Sequence, residues 1–315
     1  MNSKDYSVSF VRYIAMIFII VCHIFQYYNN ELAFWFNVGV QIFLFISGWL
    51  YANKKTNSKV SFYLKQFKKI IIPYYIYFII ISFLYIYISD ITFIDFFKGL
   101  FFIDSLNGIK HLWFIRYILL CYLLLPFFQK QMLSSKNVKK NIVNTIILII
   151  TFEIIGIFSK NFINGTWINC FILGLLFRYY ENYVREKKAL IYCTTLIFNI
   201  TAIILKYFIS INLSKVMNIV FNKYFDICHM LLGISLFFIL IMVYKKINLK
   251  MYKILDWSDK YSFYVYITHH IYILGPLSLF LYINNFCLAL ICLLLLTLIS
   301  SIFLKKISEF IIKKI

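Results

Sequence analysis

Acidic side chains are scarce in this sequence. There are 12 Asp and Glu against 32 Lys and Arg, and charge of either sign occupies only 14% of 315 positions. A soluble domain carries about 25% charged residues, so the deficit argues against one. Glycine, at 9 residues, and proline, at 3, are rare as well. That excludes a Gly/Ser-rich or Pro-rich linker, and no repeat of about 20 to 50 residues marks a solenoid. A single domain over residues 1–315 is expected. The 7 cysteines are odd in number, lie in apolar runs and form no CxxC pair. They read as small buried hydrophobes rather than a disulfide or metal set. There is no P-loop, no GxGxxG and no HExxH. The 5 histidines are scattered, and no acidic cluster suggests a catalytic metal, so no metal is expected.

Apolar residues are what the chain has, at 63%, with 21% aromatic. The apolar runs reach about twenty residues, enough to cross a hydrocarbon core of roughly 30 Å. The runs predict an all-α polytopic membrane protein with about ten spans: 7–28, 33–52, 69–89, 112–129, 141–159, 163–180, 189–209, 224–244, 261–283 and 286–304. The first run lacks an evident small-residue cleavage site and is interrupted by Arg12, so an uncleaved first span is expected.

The formal charge of +20 could suggest nucleic acid in a soluble protein. Here the lysines mark topology instead, and no nucleic-acid partner is expected. Alternate connections hold Lys4, then Lys54 to Lys69, Lys130 to Lys140, Arg178 to Lys188, Lys245 to Lys260, and Lys305 to Lys314. The opposite connections hold only Lys98, Lys110, Lys160, Lys206, Lys215 and Lys223. By the positive-inside rule both termini are expected in the cytoplasm of a multi-pass plasma-membrane protein. Trp35, Trp113 and Trp167 fall at expected outer ends, and Trp49 and Trp257 at inner ends, as an aromatic belt would place them. Residues 54–68 carry Val60, Leu64 and Phe67 at helical spacing among lysines, which predicts a helix lying on the cytoplasmic face. Residues 93–108 read as an interfacial segment on the outer side.

Polar residues within the spans are the functional candidates, because a charged group in lipid is costly and marks a pathway or a site. Arg12 and His23 are eleven residues apart in the first span. On a helix of 3.6 residues per turn that is about three turns, so both point the same way, roughly 16 Å apart along the axis. Arg12 could instead snorkel to the inner headgroups, and His23 could make an interhelical hydrogen bond without chemistry. Ser47 and Gly48 close span two, where a small pair either allows close helix packing or admits a ligand to the backbone. His111 and Arg116 stand near the outer interface. Asp226 and His229 share one helix face near the outer surface. Glu153 is the only clear mid-span carboxylate, a candidate partner for a histidine or Arg116. His269 and His270 lie near mid-membrane, and adjacent helix positions diverge by about 100°, so only one is expected to face a given site.

Taken in chain order, these residues resemble the integral-membrane acyltransferase family 3, which includes bacterial polysaccharide O-acetyltransferases. The likeness rests on an Arg, ten residues, then a His in span one, here Arg12 and His23. It continues with "FLFISG", where Phe45, Ser47 and Gly48 match the family's aromatic, Ser and Gly positions. "KKIIIPYY" at 68–75, "HLWF" at 111–114 and "YVYITH" at 264–269 also match. Many members carry a Glu-Glu pair in span four where this chain has Ile118 and Leu119, which leaves open which carboxylate, if any, orients His23. Some members carry an extra soluble esterase-like domain, and none is expected within these 315 residues.

The resemblance implies an acyl-coenzyme A donor, acetyl-CoA most commonly, and no permanently bound cofactor. It implies an acceptor hydroxyl on a cell-surface or lipid-linked glycan. Arg12, Lys68 and Lys69 would hold the donor's phosphates, Arg12 being suited to bidentate contact, with Ser47 and Gly48 along the donor's course. His23 would act as general base or transient acyl acceptor, since an imidazole with an unperturbed pKa of about 6.5 suits proton transfer near neutrality. His111, Trp113 and Arg116 would line the acceptor side, with Glu153 and His269 in support. The differing class is a glycan exporter or flippase, or a polysaccharide polymerase, because buried Arg and His also mark transport paths.

Overall fold

The computed structural model describes residues 4–54, 59–88, 92–132, 137–159, 163–208, 215–247 and 250–315. Expectations for Lys55, Lys136 and Lys160 fall outside these residues. Among the described residues the chain is helical. The first half runs α1 (Tyr6–Tyr27), α2 (Leu32–Phe36), α3 (Gly39–Tyr51), α4 (Lys59–Ile88), α5 (Phe93–Leu100), a 3-10 turn at Lys110–Leu112 and α6 (Trp113–Met132). The second half runs α7 (Val138–Phe158), α8 (Gly165–Tyr179), α9 (Glu181–Glu186), α10 (Lys188–Phe208), α11 (Lys215–Ile247) and α12 (Tyr252–Thr268). A second 3-10 turn, His270–Tyr272, leads to α13 (Leu279–Tyr282) and α14 (Phe286–Lys314).

Eight stretches among the described residues are long and apolar enough to cross a bilayer, so this is a multi-pass membrane protein. Their outward faces are apolar. On α7, Ile146, Ile147, Ile150, Ile154 and Ile157 are all exposed, as are Leu294, Leu295 and Ile299 on α14. A continuous apolar face of this kind is a liability in water and the normal state in lipid.

Two of the ten expected spans differ from those eight. The 163–180 run forms α8, only 15 residues long. The 261–283 run does not form one helix: α12 starts earlier, at Tyr252, with Lys253, Asp256, Asp259 and Lys260 in its first half, and stops at Thr268. The surface helix expected at 54–68 is also not separate. From Lys59 onward these residues are the opening turns of α4, which continues unbroken to Ile88 despite Pro73. Thirty residues at 1.5 Å each make about 45 Å, longer than the hydrocarbon core. The 93–108 segment contains α5, capped where Thr92 accepts a hydrogen bond from the Asp95 backbone N–H.

The chain forms two compact units that interleave in sequence: Met1–Ala15, Asn37–Lys55 and Leu124–Lys250 in one, Met16–Phe36, Thr56–Leu123 and Met251–Ile315 in the other. In the first unit, α3 and α8 meet backbone to backbone at two glycines. A Cβ on Gly48 would lie 2.0 Å from the Phe171 carbonyl oxygen, and one on Gly174 2.2 Å from the Phe45 carbonyl oxygen. Small residues allow that approach, which drives helix association where lipid removes the hydrophobic advantage. Phe45, Trp49 and Phe237 pack beside the contact, with ring centroids 4.8 Å (Phe45–Phe237) and 5.0 Å (Trp49–Phe237) apart. Trp49 is thus buried, with the Arg178 guanidinium over its ring.

In the second unit α4, α12 and α14 pack together and α4 carries α5. The Tyr74 hydroxyl donates to the Gly99 carbonyl at 2.5 Å and the Tyr75 hydroxyl to the Leu100 carbonyl at 3.1 Å. These bonds tie off the free carbonyls at the C-terminal end of α5.

Candidate functional site

The second unit gathers four of the five histidines. His23 comes from the last turns of α1, His111 from the first 3-10 turn, His269 caps α12 and His270 opens the second 3-10 turn. Ring centroids lie 4.5 Å apart for His23 and His270, 4.4 Å for His111 and His270, 5.1 Å for His111 and His269, and 5.3 Å for His23 and His269. Both neighbours belong to one cluster, at the junction where α12 passes through His269 into the second 3-10 turn. Here the Ile273 N–H bonds the His270 carbonyl, and Gly275 and Pro276 follow. Proline disfavours the helical conformation of the residue before it, so the chain does not resume a helix across Gly275–Pro276. His270 joins the cluster, against the expectation that only one of the pair would.

Hydrogen bonds fix the state of each ring. His111 Nε2 faces the Ile267 carbonyl at 3.1 Å, and His270 Nδ1 faces the Gly108 carbonyl at 2.7 Å. His269 Nδ1 faces the carbonyls of Val265 at 3.0 Å and Tyr266 at 2.8 Å. A carbonyl oxygen only accepts, so each of these nitrogens carries the proton. In the neutral ring the other nitrogen is then an acceptor. His111 Nδ1 and His269 Nε2 are such acceptors, buried and with no hydrogen-bond partner among the described residues. Each unfilled buried acceptor costs about 1–3 kcal/mol. On α1, His23 Nδ1 pairs at 2.7 Å with Gln26 Oε1, one turn away on the same face. With the amide oxygen accepting, His23 Nε2 is left with a free lone pair.

The surrounding backbone is pinned. The Tyr266 hydroxyl donates to the His111 carbonyl. Gly108 has φ +78, and a Cβ there would lie 2.3 Å from the Tyr85 hydroxyl and 2.7 Å from Gly275 Cα. Only glycine adopts that conformation freely, and it presents the carbonyl that His270 uses. Arg116 Nη1 donates to the Ile103 carbonyl at 3.0 Å and the Phe102 carbonyl at 3.5 Å, bracing the turn after α5. Trp113 packs edge-on against Tyr117, centroids 5.6 Å apart. Four imidazoles meet here, yet among the described residues no three His, Cys, Asp or Glu side chains are arranged to hold a metal ion.

The remaining candidates are placed as follows. Arg12 is half-buried on α1 within the first unit, eleven residues along the same helix from His23. Ser47 Oγ donates to the Phe43 carbonyl at 2.9 Å, and Gly48 packs against α8. Close helix packing is thus the role the structure shows for that pair. Lys68 is half-buried and Lys69 exposed on α4, in the second unit. Glu153, expected beside a histidine or Arg116, is engaged within the first unit instead. Its Oε1 accepts from Thr166 at 2.7 Å and Asn169 at 2.8 Å, and its Oε2 lies 3.6 Å from Lys223. Asp226 accepts from Asn164 at 2.7 Å, and His229 is buried on the same helix, within the first unit.

Sequence reasoning missed Gln26, Gly108 and Tyr266, and of His269 and His270 it expected only one at the site. Gln26 was legible as the polar residue three beyond His23.

A protein-family model described as an acyltransferase domain, that of acyltransferase family 3, matches residues 5–306. No curated protein and no solved structure matches the chain.

Proposed function

The chain belongs to acyltransferase family 3, and from that premise we propose that it is an O-acyltransferase, moving an acetyl group from acetyl-CoA to a hydroxyl of a cell-surface or lipid-linked glycan. The observation that carries this reading is the buried set of imidazoles around His23, with two acceptor nitrogens left unfilled. Such acceptors call for a donor from outside the protein, and a sugar hydroxyl is one.

In this reading His23 Nε2 takes the proton of the acceptor hydroxyl as its oxygen attacks the thioester carbonyl. The carbon–sulfur bond breaks, the acyl–oxygen bond forms, and the imidazolium returns its proton to the departing thiolate. Gln26 holds Nδ1–H throughout, so the base keeps one tautomer. His111 and His269 accept from neighbouring hydroxyls of the sugar and orient it. Donor binding by Arg12, with Lys68 and Lys69, follows from the family motif and from the match between guanidinium and phosphate. Positioned base catalysis contributes roughly 10²–10⁴-fold. His23→Ala is accordingly expected to reduce glycan ester content at least a hundredfold at equal protein level. Equal ester content in both strains would remove the base from His23. An exporter would move glycan in vesicles without consuming acetyl-CoA, which distinguishes that class.

A further inference from the structure

Beside the histidine cluster lies a cavity of about 360 Å³, open to solvent and entirely within the second unit. Its walls are α5, the 104–110 segment and Leu274–Pro276. We infer that this cavity is the acceptor subsite and that it takes an anionic saccharide, whose carboxylate or phosphate sits between Lys98 and Lys110. The inference rests on the acyltransferase reading for its reaction and on the cavity alone for its charge preference.

Three observations carry it. The cavity shares a wall with the histidines: Gly108 lines it, and the Gly108 carbonyl holds His270 Nδ1 at 2.7 Å. Gly275 and Pro276, which end the His270 turn, line it too. The backbone that bounds the cavity is thus the same backbone that holds His270.

The walls are also built rather than loose. The Lys98 carbonyl accepts from Ile103 N–H at 2.8 Å and Asp104 N–H at 3.3 Å, and Arg116 braces the same turn from behind. Tyr85 donates to the Asn107 carbonyl and ties the segment to α4.

The charges are unequal in their availability. Asp95 is held by the Thr92 hydroxyl at 2.6 Å, and Asp104 accepts the Ser105 N–H at 2.7 Å. Lys98 and Lys110 are exposed to the cavity and form no ion pair among the described residues. These two belong to the few lysines on the side where the charge distribution puts hardly any. Two ammonium groups at one cavity on a lysine-poor face suit an anion, as point charges recognise phosphate or carboxylate. A uronate or phosphorylated sugar in the glycan supplies that chemistry, and so does the phosphate of a lipid-linked precursor.

The test compares wild type, the double variant Lys98→Gln/Lys110→Gln and the double variant Lys98→Arg/Lys110→Arg, in cells at equal protein level. Ester content is measured on both the mature glycan and its lipid-linked precursor. The Gln pair is expected to lower ester content at least tenfold, and the Arg pair to stay within twofold of wild type. Ester on the precursor identifies the lipid phosphate as the anion. Ester only on the polymer, at or beside an acidic sugar, identifies the glycan's own charge. A Gln pair with wild-type ester content, an Arg pair as poor as the Gln pair, or ester confined to a wholly neutral glycan would overturn the assignment.

A second measurement needs no turnover. Inorganic phosphate is titrated onto purified protein in nanodiscs and its ³¹P resonance followed. Broadening by wild type that the Gln pair loses supports the subsite; equal broadening by both proteins, or none by wild type, overturns it. Failure of the acyltransferase reading is separately visible, since wild-type membranes would then consume no acetyl-CoA whatever phosphate does.

Discussion

His23 is oriented by an amide, and among the described residues no carboxylate bonds its ring. Gln26 Oε1 lies 2.7 Å from His23 Nδ1 and, as the acceptor, leaves the Nε2 lone pair free. A neutral acceptor selects the tautomer without adding a negative charge beside the ring. This answers at the level of one residue what the absence of glutamates at Ile118 and Leu119 leaves open. On the proposed mechanism Gln26 is a positioning residue, and its loss belongs to the chemical step. Gln26→Leu is expected to lower kcat about tenfold with KM for the acceptor unchanged, because the base spends part of its time in the wrong tautomer. Gln26→Glu keeps an oxygen acceptor at the same reach and is expected to retain most of kcat. If Glu and Leu are equally impaired, or if KM rises while kcat holds, Gln26 does not act through His23.

At the scale of helices, each unit has one junction that sets its local architecture. One is the stop of α12 at Thr268, where the chain passes through His269 into the 3-10 turn that carries His270. The other is the α3–α8 contact, where Gly174 rests on the Phe45 carbonyl. Gly174→Ala puts a methyl 2.2 Å from backbone that cannot rotate away, so the helices must separate. Overpacking of this kind costs roughly 1–3 kcal/mol. The variant is expected to unfold at lower temperature in detergent than wild type, with the ligand affinities of the folded fraction unchanged. An unchanged melting temperature would mean that α3 and α8 do not touch there.

The sequence made some of this legible and concealed the rest, for physical reasons. Long apolar runs announce helices such as α1, α7 and α14, because lipid demands about twenty uninterrupted apolar residues. The Arg12 and His23 spacing was readable because helical geometry is fixed. The company His23 keeps was not readable, since His111 is 88 positions away and meets it only through tertiary packing. Glu153 illustrates the converse. A lone intramembrane carboxylate announces that it needs partners, but the sequence could not say that Thr166, Asn169 and Lys223 supply them.

For the whole molecule, helix length and charge together set how many times the chain crosses the bilayer. Among the described residues eight stretches satisfy length and apolarity outright, and α8 and α12 fall short. At 1.5 Å per residue, the 15 residues of α8 reach about 22 Å, against a core of roughly 30 Å. Charge decides otherwise. If α8 did not cross, the stretch with Arg178, Arg185, Lys187 and Lys188, and with it Lys245 to Lys260, would lie opposite the lysine-rich connections that precede them, against the positive-inside rule. A short span is accommodated by local thinning of the bilayer and by flanking residues that reach for the headgroups, at a modest cost. Arg178 and Arg185, both bonded to Glu181 at the start of α9, stand where such anchoring is needed. We therefore expect a cysteine introduced as Glu186→Cys, with exposed Cys193 and Cys287 replaced by Ala, to resist a membrane-impermeant maleimide in intact cells. After permeabilisation it should label fully. Labelling in intact cells would put residues 181–188 outside and remove α8 from the spans. It would leave the termini on one side only if α12 failed to cross as well, which reporters fused to the two ends would read.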